Sequence, residues 1–213
     1  MKWLVLVALT CLPAVVGGAE IVPNRPGCAQ ASSEQFFFPQ GTLGERTERF
    51  DADQFTRTWY SRHLRAMFEP SLSCKEPPGE AYRFLWLRTW GCPIAVRVER
   101  TGDVATLFAT ELDGAGGYDP GKVARRTQRR LSPGEWKLVS AGLSGIGFWK
   151  MPGYLPRDGT DGAQWILEGR NGAKYHVVDR WSPETGAYRK LCLALVDLAG
   201  LRPSGKEKRD AVY

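Results

Sequence analysis

Residues 164–201 constrain the fold most strongly, because they predict a β-hairpin followed directly by an amphipathic helix. Residues 165–168 and 175–178 are rich in β-branched and aromatic side chains, which favour strands. Asn171 and Gly172 lie between them, and Asn-Gly is the strongest short hairpin signal because both turn positions tolerate positive φ. The segment therefore predicts two paired strands joined by a tight turn.

The helix after this hairpin is predicted from its ends. Ser182, Pro183 and Glu184 supply an N-cap, a proline at the first helical position and an early acid. Gly200 and Pro203 predict the end of the helix. We expect the hairpin and the helix to share one core. The residues expected to be buried there are Trp165, Val177, Leu191, Leu195 and Leu198.

Two upstream segments predict further helices from their caps. Asp51, followed three residues later by Gln54, predicts the start of a helix that ends at Pro70. Ser132 and Glu135 form a second capping-box pattern. The apolar residues at helical spacing in the first helix are Phe55, Trp59, Tyr60, Leu64 and Met67. Those in the second are Trp136, Val139, Leu143 and Ile146.

Four segments between these two helices predict strands. Residues 82–87 are apolar on both alternating faces, which is typical of a central strand. Residues 94–99 alternate, which predicts a strand with one wet face, and a Gly102-Asp103 turn leads into residues 104–112. Residues 122–131 alternate weakly and are rich in arginine. The residues expected on the wet face of the second strand are Ala95, Arg97 and Glu99.

The order of these elements predicts an α+β fold. Short connections favour antiparallel pairing, so we expect one twisted, mainly antiparallel sheet of about six strands with three helices packed mainly on one face. Residues 51–201 are predicted to form this single domain, residues 20–50 an irregular N-terminal arm whose aromatic residues dock on it, and residues 202–213 a flexible C-terminal tail.

The N-terminus has the pattern of a secretory signal peptide over residues 1–19. Lys2 gives a positive start, residues 3–16 are apolar, and the small residues 17–19 form a cleavage site before Glu20. No second apolar stretch approaches membrane length, so no transmembrane segment is expected in the mature chain. The pattern predicts an exported protein, periplasmic or extracellular.

Four cysteines follow the predicted cleavage site. Their even number and an oxidising compartment favour two disulfides, with three possible connectivities, and the spacings match no zinc signature. The alternative for Cys192 is that it serves as a small apolar residue on the core face of its helix. The candidate disulfide cysteines are Cys28, Cys74, Cys92 and Cys192.

Basic residues are concentrated in the fourth predicted strand. The chain has 29 basic and 23 acidic residues, a net charge of +6. Arg125 and Arg129 would share one strand face, and Arg126 and Arg130 the other. Unpaired charge on both faces predicts an edge strand or a protruding arm, and its arginines either protect the edge or bind an anion. An exported protein meets no nucleic acid as a rule, so a basic surface is expected to face an anionic envelope component, an acidic glycan or no partner.

The candidate catalytic and metal-binding residues are few. His63 is expected to be a partly buried packing residue. His176 and Glu168 would lie on opposite faces of the hairpin, which argues against a dyad. Residues 158–161 could offer carboxylates to calcium but lack the required ligand spacing, and residues 114–117 match no phosphate loop. We expect no cofactor and no metal site.

Several short motifs together resemble a known group of proteins. They are residues 85–94 with Gly91-Cys92-Pro93, the Gly102-Asp103 turn, residues 148–154 and Asp161. Residues 82–180 thereby resemble exported bacterial domains of unknown function, in which a Gly-Cys-Pro strand is followed by a hairpin. The chain lacks the additional cysteine that such domains carry just upstream of Gly91. The resemblance implies a location in the bacterial envelope and no established enzymatic role.

Three functional hypotheses remain at this level. The first is a non-enzymatic protein that binds a ligand or a protein partner in the bacterial envelope. The second is a hydrolase that uses Glu168, His176 or the aspartates of residues 158–161. The third is a purely structural accessory protein. The lack of a nucleophile-base signature favours the first hypothesis.

Overall fold

The structure is a computed structural model that describes residues 36–45, 47–48, 50–74, 78–156, 159 and 161–201. The predicted signal peptide at residues 1–19, the tail at residues 202–213 and Cys28 lie outside the described residues.

One antiparallel sheet of six strands organises the molecule, in the order β4-β3-β2-β1-β5-β6. Its strands and the three α-helices confirm the predicted α+β fold. The elements in chain order are α1 (Ala52–Ala66), β1 (Glu80–Arg88), β2 (Ile94–Thr101), β3 (Val104–Leu112), β4 (Val123–Arg130), α2 (Pro133–Gly145), a 3-10 turn (Phe148–Lys150), β5 (Ala163–Asn171), β6 (Lys174–Trp181) and α3 (Ala187–Leu198).

Both faces of the sheet are covered. Helices α2 and α3 pack on one face, where Trp86, Trp165 and Leu195 belong to the larger core. Helix α1 packs on the other face together with Phe37 and Phe38 of the N-terminal arm. Two helices therefore share one face, and the third joins the arm in closing the opposite face.

Strand β1 lies at the centre of the sheet, as its apolar run predicts. It pairs with β2 and β5, and its residues 81–88 are all buried. The predicted wet face of β2 is wrong, because α1 and the segment after it cover that face. Ala95 and Arg97 are buried there, with Arg97 in an ion pair with Glu69 at 2.8 Å, while Glu99 near the end of the strand stays partly exposed as predicted.

The C-terminal hairpin forms with its turn one residue later than predicted. Asn171 pairs with Lys174, so Gly172 and Ala173 form the turn, and Gly172 supplies the positive φ of 54°. Each residue of β6 therefore pairs with a residue of β5 two positions further along than predicted. Because successive side chains of a strand alternate between faces, a shift of two positions leaves every side chain on its predicted face.

Helix α3 begins later than its sequence predicts. Its N-cap is Gly186, which makes no side-chain capping bond, and the prediction of Ser182 as the N-cap is wrong. The Ser182 hydroxyl instead accepts a hydrogen bond from the Ala163 amide at 2.8 Å, and its own amide donates to the Ala163 carbonyl. Ser182 therefore closes the base of the hairpin.

The caps of the other helices and most of the predicted core are confirmed. Asp51 accepts a hydrogen bond from the Gln54 amide at 2.8 Å, and Ser132 forms a reciprocal capping box with Glu135. Leu198 is only partly buried at the edge of the larger core. The predicted core residues that are fully buried are Trp165, Val177, Leu191 and Leu195.

Candidate binding site beside helix α1

Helix α1 buries polar side chains against the sheet and the N-terminal arm. The Asp53 carboxylate accepts hydrogen bonds from the amides of Gly41 and Leu43, each at 2.9 Å. Arg57 donates to the Phe38 carbonyl at 2.9 Å. These bonds satisfy the buried groups and fasten the arm to the helix.

The predicted apolar stripe of α1 is divided between two environments. Tyr60, Leu64 and Met67 are buried in the smaller core, as predicted. Phe55 is 55% exposed, and Trp59 is only partly buried. At about 100° per residue, Phe55 lies roughly 140° around the helix from Tyr60. A stricter reading of the helical period would have separated it from the stripe.

An open aromatic cleft lies between this outer face of α1 and the loop after β3. The ring centroids of Phe50 and Phe55 are 5.8 Å apart, and those of Phe55 and Trp59 are 6.3 Å apart, so the three rings form one wall. Tyr118, which is 51% exposed, lines the opposite wall. The cleft has a volume of about 860 Å³. We refer to it as the aromatic cleft.

The loop wall is fixed to α1 by hydrogen bonds. The indole N–H of Trp59 donates to the Gly116 carbonyl at 2.8 Å, and Arg62 donates to the Tyr118 carbonyl. Gly116 lies so close to β1 that an added Cβ would meet the Arg88 amide nitrogen at 2.6 Å. Because only glycine fits there, the loop has a defined position and the cleft is already formed without a partner.

His63 also joins α1 to this loop. Its Nδ1 lies 3.0 Å from the Trp59 carbonyl oxygen, and its Nε2 lies 3.4 Å from that of Ala115. Burial lowers the pKa of His63 below its ordinary value, and the two backbone hydrogen bonds only partly oppose this effect. The fully buried ring confirms the prediction of a packing histidine.

The rim of the aromatic cleft is acidic, although the chain as a whole is basic. Asp51, Asp119 and Arg62 line the cleft, so two carboxylates outnumber one guanidinium, which donates to the Tyr118 carbonyl. A second hollow of about 410 Å³ shares Phe50 and Phe55 with the cleft and carries Glu45. The apolar surface is therefore bordered mainly by negative charge.

The comparisons with known proteins add no relative. No protein-family model, curated protein or solved structure matches this chain. Among the described residues, no helix is both long and apolar enough to cross a membrane. The site is therefore interpreted from its own geometry.

A buried ion cluster lies on the α1 face of the sheet. Arg83 is fully buried and pairs with Glu168 and with Glu69, the latter at 3.2 Å. Tyr175 donates its hydroxyl hydrogen to Glu168 at 2.9 Å. Burial raises the pKa of Glu168, and the Arg83 guanidinium opposes that rise. Because Glu168 is only 1% exposed, it has no access to a substrate.

The residues of the hydrolase hypothesis do not come together. His176 lies on the opposite sheet face from Glu168, as predicted, and its Nε2 contacts the Met151 carbonyl at 3.0 Å. Burial lowers the pKa of His176. Asp158 and Thr160 lie outside the described residues. In the described part of the chain, no three His, Cys, Asp or Glu residues are grouped as a metal site would require.

Strand β4 is an edge strand, as its arginines predict. Arg125 bonds to Glu111 at 2.6 Å and Arg129 to Glu135 at 2.7 Å, both on the α2 and α3 side of the sheet. On the other side, Arg126 donates to the Met67 carbonyl at 2.8 Å, and Arg130 is exposed. The four candidate anion-binding arginines are therefore spread over two faces, and three of them have partners within the protein.

The prediction of two disulfides is wrong. Cys92 and Cys192 each carry a reduced thiol, while Cys74 is disulfide-bonded. Cys192 is completely buried in the larger core, which confirms its alternative role as a small apolar residue. Burial raises the pKa of its thiol, so the group stays neutral.

Proposed function

We propose that this chain is an exported protein of the bacterial envelope that binds a partner through the aromatic cleft and performs no chemistry on it. The observation that carries the proposal is the arrangement of α1, which exposes Phe55 while it buries Asp53, Arg57 and His63. The signal-peptide pattern at residues 1–19 supports export. The separation of Glu168 from His176 disfavours the hydrolase alternative.

Exposed aromatic rings favour a binding role for energetic reasons. Contiguous apolar patches on a soluble surface mark interaction sites, and aromatic residues are enriched in protein interfaces. Phe50 and Phe55 are each more than half exposed and touch one another, so burying both beneath a partner would remove apolar surface from water. A rigid wall that is already formed also reduces the entropy lost on binding.

The acidic rim defines the chemistry of the partner. Asp51, Asp119 and Glu45 attract positive charge, and the faces of Phe55 and Trp59 stabilise a cation by cation–π attraction. The aromatic surface between these carboxylates accepts aliphatic or aromatic side chains. We therefore infer that the partner is a protein segment in which lysine or arginine alternates with apolar residues.

Calorimetric titration with three synthetic decapeptides tests this function. One alternates lysine with leucine, the second replaces lysine by glutamate, and the third replaces leucine by serine. We expect the lysine–leucine peptide to bind most tightly. Phe55→Ala should weaken its binding about tenfold, because a lost aromatic anchor costs more than about 1 kcal/mol.

Two control variants make the test specific. Leu138→Ala removes a 68%-exposed apolar side chain from α2, outside the cleft, and should leave binding unchanged. Asp119→Asn should weaken binding more than Asp103→Asn, which removes the same charge from the exposed β2–β3 turn. Failure of all three peptides to bind, or equal losses in Phe55→Ala and Leu138→Ala, would contradict the proposal and favour a structural accessory role.

A further inference from the structure

A second cleft lies on the opposite face of the sheet, between α2, the 3-10 turn and the beginning of β1. It has a volume of about 560 Å³, and we refer to it as the basic cleft. The lining residues that matter here are Tyr82, Arg100, Trp136, Trp149, Lys150 and Lys174.

The floor of the basic cleft is aromatic. The Tyr82 ring lies 6.4 Å from the Trp136 ring and 6.0 Å from the Trp149 ring, measured between centroids. Gly169 allows this packing, because an added Cβ would meet Tyr82 Cδ1 and Phe148 Cε1 at 2.7 Å each. The floor therefore offers an apolar surface of mutually inclined rings, packed on β1 and β5 of the sheet.

Positive groups surround this floor. The Arg100 guanidinium carbon lies 5.2 Å from the Trp136 ring centroid, and Lys174 Nζ lies 4.6 Å from the Trp149 ring centroid. In the described part of the chain, neither Lys150 nor Lys174 has a carboxylate within ion-pair distance.

Among the described residues, Glu80 is the one carboxylate that lines the basic cleft, and it is already engaged. Glu80 accepts the Tyr82 hydroxyl hydrogen at 2.9 Å, and its other oxygen lies 3.5 Å from Arg100. Three cations and one carboxylate give the cleft an excess of two positive charges. The two lysines therefore remain available to an external anion.

We propose that the basic cleft binds an anionic group attached to an apolar body, such as the carboxylate or phosphate of an amphiphile. The ammonium groups of Lys150 and Lys174 would bind the anion, and the rings of Tyr82, Trp136 and Trp149 would contact the apolar body. An anion between several cations gains Coulomb energy from each of them, and the gain is larger beside an apolar surface than in open water. The site lies on the other side of the sheet from the aromatic cleft and does not depend on the function proposed for it.

Two sources could supply this chemistry, and the experiment separates them. Decanoate represents a soluble amphiphilic anion, and phosphatidylglycerol vesicles represent an anionic membrane surface. Decyltrimethylammonium and phosphatidylcholine vesicles are the matched probes without net negative charge. Calorimetry measures binding of the soluble probes, and cosedimentation measures binding to the vesicles.

The decisive variant removes the two lysine charges of the cleft. In Lys150→Gln/Lys174→Gln we expect the affinity for the anionic probe to fall about tenfold or more, since two favourable charge contacts with the anion are lost. Lys122→Gln/Lys190→Gln removes the same charge from exposed positions outside the cleft and should retain binding. Ser144→Trp, which fills the cleft without changing its charge, should also weaken binding.

The outcomes distinguish the site from general electrostatic attraction. Binding of decanoate alone would identify a soluble anion, and binding of phosphatidylglycerol vesicles as well would identify a lipid headgroup. The proposal is wrong if neither anionic probe binds. It is equally wrong if the two double lysine variants weaken binding by the same factor, because net charge would then explain the result.

Discussion

The buried ion cluster gives the sharpest stability prediction, through Arg83→Met. This change retains an unbranched side chain but removes the positive charge beside Glu168, which is 1% exposed. Among the described residues, the other group that bonds to the Glu168 carboxylate is the Tyr175 hydroxyl, at 2.9 Å. Removing one partner of a buried pair typically costs about 3–5 kcal/mol, because a buried charge loses its compensation. We expect the free energy of unfolding to fall by about that amount.

A second substitution should restore part of this loss. In Arg83→Met/Glu168→Gln the unpaired charge is gone, and the glutamine oxygen can still accept the Tyr175 hydroxyl hydrogen. The double variant should therefore be more stable than Arg83→Met by about 1–3 kcal/mol, a coupling typical of residues in one network. Urea titration of both variants and of Glu168→Gln completes the cycle.

The pH dependence of Arg83→Met has a definite sign. Burial raises the pKa of Glu168, and the adjacent positive charge of Arg83 opposes that rise. Removing Arg83 should therefore raise the pKa of Glu168 further. The folded variant then binds a proton more tightly than the unfolded chain, in which the pKa of glutamate is about 4.3. Its stability should rise as the pH falls from neutral towards the pKa of the unfolded chain, whereas the double variant should show no such rise.

Two results would refute this reasoning. The first is an Arg83→Met variant within about 1 kcal/mol of the wild type, since a buried unpaired carboxylate should cost more. The second is additive destabilisation in the double variant, which would show that Arg83 and Glu168 are not energetically coupled.

Three further predictions concern export, the core and the cysteines. Sequencing the secreted protein should find cleavage after Ala19, and a mature chain that begins with Met1 would refute export. Leu195→Ala should lower the free energy of unfolding by about 2–5 kcal/mol, because the side chain is 1% exposed in the larger core; an unchanged denaturant midpoint would contradict this packing. Alkylation of the unfolded, unreduced chain should label Cys92 and Cys192 but not Cys74, and labelling of Cys74 would contradict its disulfide.

The sequence by itself determined those features that depend on residues close together in the chain. The capping pattern at Ser132 and Glu135 gives the start of α2, because both groups of the box lie within one helical turn. The apolar run of residues 82–87 gives a central strand, because only such a strand is buried on both faces. The presence of arginines on both faces of β4 gives an edge strand, because neither face could be buried without pairing its arginines.

Tertiary structure alone decided which polar groups are buried. Arg97 and its partner Glu69 are 28 residues apart in the sequence, yet the two meet because α1 and the segment after it cover β2. Ser182 is a good N-cap by type, but its hydroxyl bonds to Ala163, a residue 19 positions away. A local pattern cannot reveal a partner that approaches only when the sheet is assembled.

The same limit applies to both candidate sites. The aromatic cleft joins α1 to Tyr118, and the basic cleft joins Arg100 to Lys150 and Lys174 from separate elements. Sequence supplied the residue types, but its helical pattern grouped Phe55 with the buried Tyr60 in one apolar stripe, whereas Phe55 is exposed. The residues of each cleft meet only because each helix covers a particular face of the sheet. Which face a helix covers depends on how the whole chain packs, since the fold is stable only when the apolar surfaces of all its elements are buried.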